Sequence, residues 1–155
     1  MQSPMSDSIC YTCNLELNVL AWALLTLILT VAFHAAALMV LAKVIFTDVI
    51  VEMRHRSAVF SLSVFSSVCV VVIFINSIEV SCWGFLYYFF GATENPITAL
   101  THSMGAFTTY GNSAHFPDDS WRLVSHLEAM NGLIAFGITT AFLYSASGRL
   151  HDFAK

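Results

Sequence analysis

A polar stretch between two apolar segments holds the residues of this chain that are best suited to line a water-filled cavity. Residues 106–121 read AFTTYGNSAHFPDDSW and are rich in hydroxyls, turn formers and acids. On its own, the TTYGNS run over residues 108–113 is an ordinary turn signal. At membrane depth, however, non-helical backbone is tolerated only where protein buries it or where it faces water. The stretch is therefore a candidate site whose chemistry depends on the elements around it.

The ionisable residues inside apolar segments include His34, Glu79, His126 and Glu128. A charge at the centre of a membrane costs about 3 kcal/mol or more, so each of them is a functional hypothesis. We expect Glu79 or Glu128 to accept hydrogen bonds and to brace the neighbouring short helix. Two alternatives stay open, which are proton transfer or pH sensing along these groups and simple exposure at the membrane interface.

Cysteine chemistry is a second possibility that the sequence raises. Cys10 and Cys13 form the motif CYTC and are candidates for a disulfide, whereas the haem-attachment motif CxxCH is absent because residue 14 is Asn. A membrane thiol oxidoreductase stays open as a rival, although it would need a second outward cysteine pair and only Cys82 remains on that side. No histidine spacing or paired CxxC motif is typical of a metal site. We expect no catalytic residue, metal or bound cofactor, and hence no enzyme.

The composition is that of an integral membrane protein. Hydrophobic residues make up 57% of the 155 residues and charged residues only 10%, against roughly half and a quarter in an average soluble domain. So few charges could not keep this apolar surface in water, so the expected surroundings are a lipid bilayer. The net charge of -4 and the lack of a run of basic residues argue against a nucleic-acid partner.

Three apolar runs are long enough to cross a hydrocarbon core of about 30 Å, which takes about 20 helical residues. They predict an all-α membrane protein with transmembrane helices over residues 17–45, 58–90 and 121–146. The first run is too long for the core of a cleaved signal peptide, and no lysine or arginine precedes it. We therefore interpret it as a retained helix.

The basic residues predict the orientation, because lysines and arginines near helix ends stay on the cytoplasmic side. We expect an outer tail over residues 1–16, a cytoplasmic loop over 46–57 and a cytoplasmic tail over 147–155, in the inner (plasma) membrane of a bacterial-type cell. The basic residues that carry this prediction are Lys43, Arg54, Arg56, Arg149 and Lys155.

A fourth, shorter helix is predicted between the second and third spans. Asn95 is a suitable N-cap, and Pro96 suits the first helical position because its missing N–H costs nothing there. Residues 96–107 give twelve residues, about 18 Å of helix, which cannot span a bilayer. We expect this helix to be re-entrant, so that it enters the membrane and the loop that follows returns.

The order of helix, short helix, Thr/Gly-rich turn and helix resembles the pore unit of the potassium-channel superfamily. Where that family has T-V-G-Y-G-D-x-Y-P, residues 109–117 read TYGNSAHFP. The whole layout, with one extra N-terminal helix, is similar to the small bacterial two-transmembrane-pore ion channels. The resemblance covers residues 58–146 and is only partial in the filter, because Tyr110, Asn112, Ser113 and Ala114 depart from the family letters. Since serine suits left-handed backbone less well than glycine, we expect altered outer ion sites.

The resemblance implies a homotetramer that conducts potassium or sodium ions passively, with the filter at Thr108, Thr109, Tyr110, Gly111, Asn112 and Ser113. It implies a pore-lining face at Leu133, Phe136 and Thr140 and a gating hinge at Gly132. Glu79 and Glu128 would then brace the filter. A non-conducting accessory subunit with the same fold stays open as an alternative, as does an unidentified membrane partner.

Overall fold

In the part that the structure describes, the chain forms four α-helices and no strand. The computed structural model describes residues 4–45, 58–111 and 119–153, with side chains over 17–45, 59–111 and 121–148. The all-α class expected from the sequence is confirmed for these residues. The helices are α1 (Pro4–Val44), α2 (Ala58–Phe89), α3 (Pro96–Phe107) and α4 (Asp119–Phe153).

Two helices extend beyond the limits expected from hydropathy. α1 begins at Pro4, so most of the expected outer tail is helical, and α4 continues to Phe153 through most of the expected cytoplasmic tail. No glycine or proline follows Pro4 before Val44, so nothing in the local sequence interrupts α1. Hydropathy marks where the apolar part of a helix ends, whereas the backbone hydrogen bonds continue until a residue breaks them.

Three of the helices are long and apolar enough to cross a membrane. The candidate spans are Leu17–Val44, Val59–Phe89 and Trp121–Gly148. Large apolar side chains are exposed along each of them, for example Ile28 at 62% and Phe74 at 67%. In a bilayer such faces contact lipid or another protein, so the pattern agrees with a membrane protein.

The chain divides into two packing units. The first packing unit comprises Met1–Leu29 and Val80–Gly132, and the second comprises Thr30–Glu79 and Leu133–Lys155. The core of the first packing unit draws on all four helices through Val19, Ala23, Trp83, Leu86, Tyr87, Ala99 and Val124. The core of the second packing unit is smaller and is centred on Leu38, Val72 and Ile75.

Each packing unit also buries polar residues. In lipid the hydrophobic effect does not drive helices together, so close packing and interhelical hydrogen bonds carry more of the association. Glu128, Ser103 and Asn131 are buried in the first packing unit, and His34 and Glu79 in the second. These side chains define the candidate sites.

Candidate functional site

The short helix α3 begins with a complete N-terminal cap. Asn95 has extended backbone with φ of −124° and ψ of 129°, and its side-chain oxygen accepts the N–H of Ile97 at 2.9 Å. The N–H of Ala99 donates to the Asn95 carbonyl at 3.0 Å. Pro96 occupies the first turn, as the sequence predicts. Local signals therefore determine where α3 begins.

The turn after α3 closes back on the end of the helix. The N–H groups of Thr108, Thr109 and Gly111 donate to the carbonyls of Met104, Ala106 and Gly105 at 3.1, 2.9 and 3.1 Å. The Thr108 hydroxyl also donates to the Met104 carbonyl, at 2.7 Å. Three carbonyl oxygens near the end of α3 therefore already have donors.

Alternate residues of this turn have left-handed backbone. Thr109 has φ of 57° and Gly111 has φ of 74°. For a non-glycine residue such as Thr109 this conformation costs about 1–2 kcal/mol, which the hydrogen bond from its N–H helps to offset. The Tyr110 side chain between them is 89% exposed. The filter positions Asn112 and Ser113, together with Ala114, lie outside the described residues.

A buried carboxyl group of α4 holds α3 in place. The Tyr87 hydroxyl of α2 donates to Glu128 Oε2 at 2.7 Å, and the Ser103 hydroxyl of α3 lies within hydrogen-bond distance of Glu128 Oε1. The same hydroxyl is 2.8 Å from the Val80 carbonyl of α2. Glu128 and Ser103 are 0% exposed and Tyr87 is 1% exposed. The carboxyl group thus connects three helices inside the first packing unit.

Aromatic contacts extend this network around Tyr87. Its ring meets the His102 ring edge-on, with centroids 4.8 Å apart and an interplanar angle of 87°. It also lies 5.9 Å from the ring of Trp121. Burial lowers the pKa of His102 below its usual value, because the charged imidazolium loses hydration. His102 is therefore predominantly neutral at neutral pH.

Gly132 is the point where α4 comes closest to the end of α3. A Cβ atom built on Gly132 would overlap the carbonyl oxygen of Phe107 and would also crowd its carbonyl carbon. Both residues are buried. Gly132 lies within the continuous helix α4, so here it is a site of close backbone contact. Its role as a gating hinge stays a prediction.

The residues expected to line a pore are exposed on α4. Leu133 is 60% exposed and Phe136 is 36% exposed. Thr140 is also exposed, and its hydroxyl donates to the Phe136 carbonyl of its own helix at 2.7 Å. The face is therefore available to lipid or to another subunit.

Glu79 contacts α1 through His34. Its Oε1 lies 2.9 Å from His34 Nδ1, and both side chains are 1% exposed. Of the two acids expected to brace α3, the structure places Glu128 against that helix and Glu79 beside His34. Among the other ionisable residues, the ring of His126 bonds to the Arg122 carbonyl of its own helix.

The remaining sequence candidates show no further site. The side chains of Cys10 and Cys13 lie outside the described residues, so their disulfide stays a prediction. Cys69 is half-buried and Cys82 is exposed. Across residues 17–45, 59–111 and 121–148, no group of three His, Cys, Asp or Glu side chains could hold a metal ion.

Three residues that take part in buried polar contacts were not predicted from the sequence. Tyr87 belongs to the aromatic run GFLYYFFG, whose composition is typical of a membrane-interface belt, yet it is buried against Glu128. Ser103 and Thr139 are small hydroxyl residues with no distinguishing local signal, although Thr139 Oγ1 lies 2.9 Å from His34 Nε2. Only a helical-face analysis, which puts Ser103 on the same side of α3 as Ala99 and Ala106, could have marked it as buried.

Comparison with known proteins leaves the family open. No protein-family model, no curated protein and no solved structure matches this chain.

Proposed function

We propose that this chain is one subunit of a homotetrameric pore-loop cation channel related to the potassium-channel superfamily. Four chains would enclose a path for passive conduction of potassium, or of monovalent cations with weak selectivity. The observation that carries the proposal is the attachment of α3 to its neighbours. Glu128 and Gly132 of α4 hold the middle and the end of a helix that leads directly into a turn with left-handed backbone.

The length of α3 supports a re-entrant position. Twelve residues give about 18 Å, too short for a hydrocarbon core of about 30 Å. α3 lies in sequence between two candidate spans, Val59–Phe89 and Trp121–Gly148. Its end and the following turn would then lie at membrane depth, where backbone polar groups require protein or water around them.

The backbone of this turn supports an ion path more than its side chains do. Left-handed conformation at Thr109 and Gly111 alternates along the chain, and such alternation allows successive carbonyl groups to face one axis. Carbonyl oxygens facing an axis can replace the hydration shell of a cation. One chain supplies a single turn, so the path requires a ring of chains, and closed cyclic symmetry is the usual solution.

The basic residues in the sequence support an orientation with the N-terminus outside and the C-terminus in the cytoplasm, in an inner membrane. Lys43, in the last turn of α1, is one of them. Under this orientation the turn after α3 lies toward the outer side of the membrane.

A non-conducting accessory subunit is the second candidate. The observation that favours it is the set of hydrogen bonds from Thr108, Thr109 and Gly111 back to α3, because a turn closed in this way already satisfies part of its own backbone. Such a subunit would keep the fold and pack against another membrane protein.

Ion flux into liposomes tests the proposal. Purified full-length protein should carry potassium or sodium down a gradient, and the rate should be the same with and without a thiol reductant. Absence of flux for both ions would contradict conduction and favour the accessory subunit. Flux that appears only under one redox condition would instead favour a role for the cysteines.

A filter variant tests the site within that protein. The variant changes Tyr110 to Val, Asn112 to Tyr, Ser113 to Gly and Ala114 to Asp, which are the residues that the potassium-channel superfamily has at these positions. Reversal potentials should then show a sharper preference for potassium over sodium. Tyr144→Val is the matched control, because Tyr144 is also an exposed tyrosine, at 81%, and lies on α4 away from the turn in sequence. An unchanged permeability ratio in the restored variant would show that these residues do not determine selectivity.

A further inference from the structure

Three helices each contribute one polar side chain to a buried cluster in the second packing unit. His34 of α1 lies 2.9 Å from Glu79 of α2, between Nδ1 and Oε1. It also lies 2.9 Å from Thr139 of α4, between Nε2 and Oγ1. His34 and Glu79 are 1% exposed and Thr139 is 7% exposed. The imidazole therefore joins α2 to α4 inside a region of apolar side chains.

The number of donors and acceptors in this cluster determines the direction of its hydrogen bonds and its net charge. A neutral imidazole carries one N–H and one acceptor nitrogen. The Thr139 hydroxyl can donate to Nε2, which leaves the Nδ1–H to donate to Glu79 Oε1. With Glu79 ionised, this arrangement has a net charge of about −1 inside a membrane span, where an uncompensated charge is costly.

Two buried oxygen atoms nearby have no hydrogen-bond donor in the part of the chain that the structure describes. They are Glu79 Oε2 and Asn76 Oδ1. Asn76 precedes Glu79 by three residues on α2, so the two side chains share a face with their Cβ atoms about 5–6 Å apart. A buried acceptor without a donor is unfavourable, and two of them on one helix face point to a shared donor.

One proton supplies that donor. When Oε2 of Glu79 is protonated, the carboxyl group becomes a donor as well as an acceptor, and Asn76 Oδ1 is the acceptor on the same face. The net charge of the cluster then falls to zero. An imidazolium–carboxylate pair would also be neutral overall, but it would leave both Glu79 Oε2 and Asn76 Oδ1 without a donor.

We propose that His34, Glu79, Thr139 and Asn76 form a buried proton-binding site in which Glu79 is held as the neutral acid. The hydrogen bonds run from the Thr139 hydroxyl to His34 Nε2, from His34 Nδ1 to Glu79 Oε1, and from Glu79 Oε2 to Asn76 Oδ1. The proton comes from the solvent. The site does not depend on ion conduction, so it stands whether or not the chain forms a channel.

Other titratable groups of the second packing unit lie at a distance along their helices. Among its described side chains they are Lys43, Cys69 and Tyr144. Lys43 follows His34 by about 13 Å along α1, and Cys69 precedes Glu79 by about 15 Å along α2. Tyr144 follows Thr139 by about 8 Å along α4 and is 81% exposed. The balance of charge in the cluster therefore depends on His34 and Glu79 themselves.

Infrared spectroscopy of the full-length protein in lipid nanodiscs tests this site directly. At about neutral pH, where an ordinary glutamate is ionised, the difference spectrum between wild type and Glu79→Gln should show the loss of one protonated-carboxyl band. Glutamine keeps the geometry, because its amide N–H can donate to Asn76 Oδ1 in place of the acid proton. Glu94→Gln is the matched control, since Glu94 is exposed, and it should remove only carboxylate bands.

Loss of carboxylate bands in Glu79→Gln, with no change in the protonated-carboxyl region, would overturn the proposal. Asn76→Ala gives a second test that does not require Glu79 to be replaced. Because it removes the acceptor, it should shift the frequency of the same acid band, and a band that does not move would count against the assignment.

Discussion

Gly132 and Gly137 lie about one and a half turns apart on α4, yet a methyl group added to each would meet different surroundings. At Gly132 it would overlap the backbone of Phe107, whereas at Gly137 nothing in the described structure lies within 4 Å. A backbone atom cannot move aside as a flexible side chain can. The two glycines therefore form a natural pair for comparison.

Gly132→Ala should destabilise the protein by about 1–3 kcal/mol, because the end of α3 must shift to admit the methyl group. Gly137→Ala should be neutral or stabilise by up to about 1 kcal/mol, since alanine favours helix more than glycine does. Equilibrium unfolding in lipid or detergent measures both values. Equal effects of the two substitutions would show that the contact between α4 and Phe107 contributes little.

The pH dependence of stability should contain a contribution from His102. Burial lowers the pKa of His102 in the folded protein, so the unfolded chain takes up its proton first as the pH falls. Stability from this group is therefore complete above the ordinary histidine value of about 6.5 and decreases as the pH drops through and below it.

Replacing His102 by glutamine should reduce this loss of stability at acid pH. Thermal unfolding between about pH 7.5 and about pH 5.5 brackets the ordinary histidine value and is the appropriate measurement. His126→Gln is the control, because His126 is exposed and its ring bonds within its own helix. If His102→Gln lost as much stability at acid pH as the wild type does, that loss would belong to other groups.

At the scale of the helices, the contact between α3 and α4 should appear as an energetic coupling. Ser103→Ala removes the donor of a buried hydrogen bond, and Glu128→Gln leaves one acceptor oxygen where the carboxyl group has two for Ser103 and Tyr87. Their combined effect should differ from the sum of the single effects by about 0.5–3 kcal/mol, because the residues belong to one network. A double-mutant cycle on unfolding free energy measures this difference.

Thr101→Ala provides the control for that cycle. Thr101 lies on the same helix α3, but it is exposed and its hydroxyl donates to the Ile97 carbonyl one turn earlier, at 2.8 Å. Its effects should add to those of Glu128→Gln. Additivity for Ser103 as well would mean that Glu128 does not hold α3.

Short-range signals in the sequence predicted helix positions well. Asn95 and Pro96 mark the start of α3 because capping depends on adjacent residues. Hydropathy likewise identified the three spans, because it depends only on composition along one helix. α1 and α4 both extend past their apolar runs, since polar residues beyond an apolar run can remain helical.

The partners of the buried polar residues could not be predicted in this way. His34 and Glu79 were identified as ionisable residues in spans, but they are 45 positions apart, and His34 and Thr139 are 105 apart. Which faces of the helices meet depends on packing across the whole chain. Glu128 was selected together with Glu79, and only the tertiary structure places it beside Ser103.

At the scale of the whole molecule, the exposed apolar residues on α4 are available to lipid or to further chains. Leu133 is 60% exposed and Met130 is 55% exposed. If the proposed channel is correct, native mass spectrometry of the solubilised protein should find four copies, and chemical cross-linking should stop at the tetramer. A stable monomer, or a one-to-one complex with a larger membrane protein, would favour the accessory subunit.

Trp83 gives the protein an optical reporter of its own. Its side chain is 0% exposed, and its indole N–H has no acceptor among the described residues. Trp22, by contrast, is 53% exposed. An indole that is buried and without a hydrogen bond emits fluorescence at shorter wavelength than one exposed to solvent. Trp83 packs in the same core as Ala99 of α3, so a red shift of its emission would report loosening around the short helix without any attached dye.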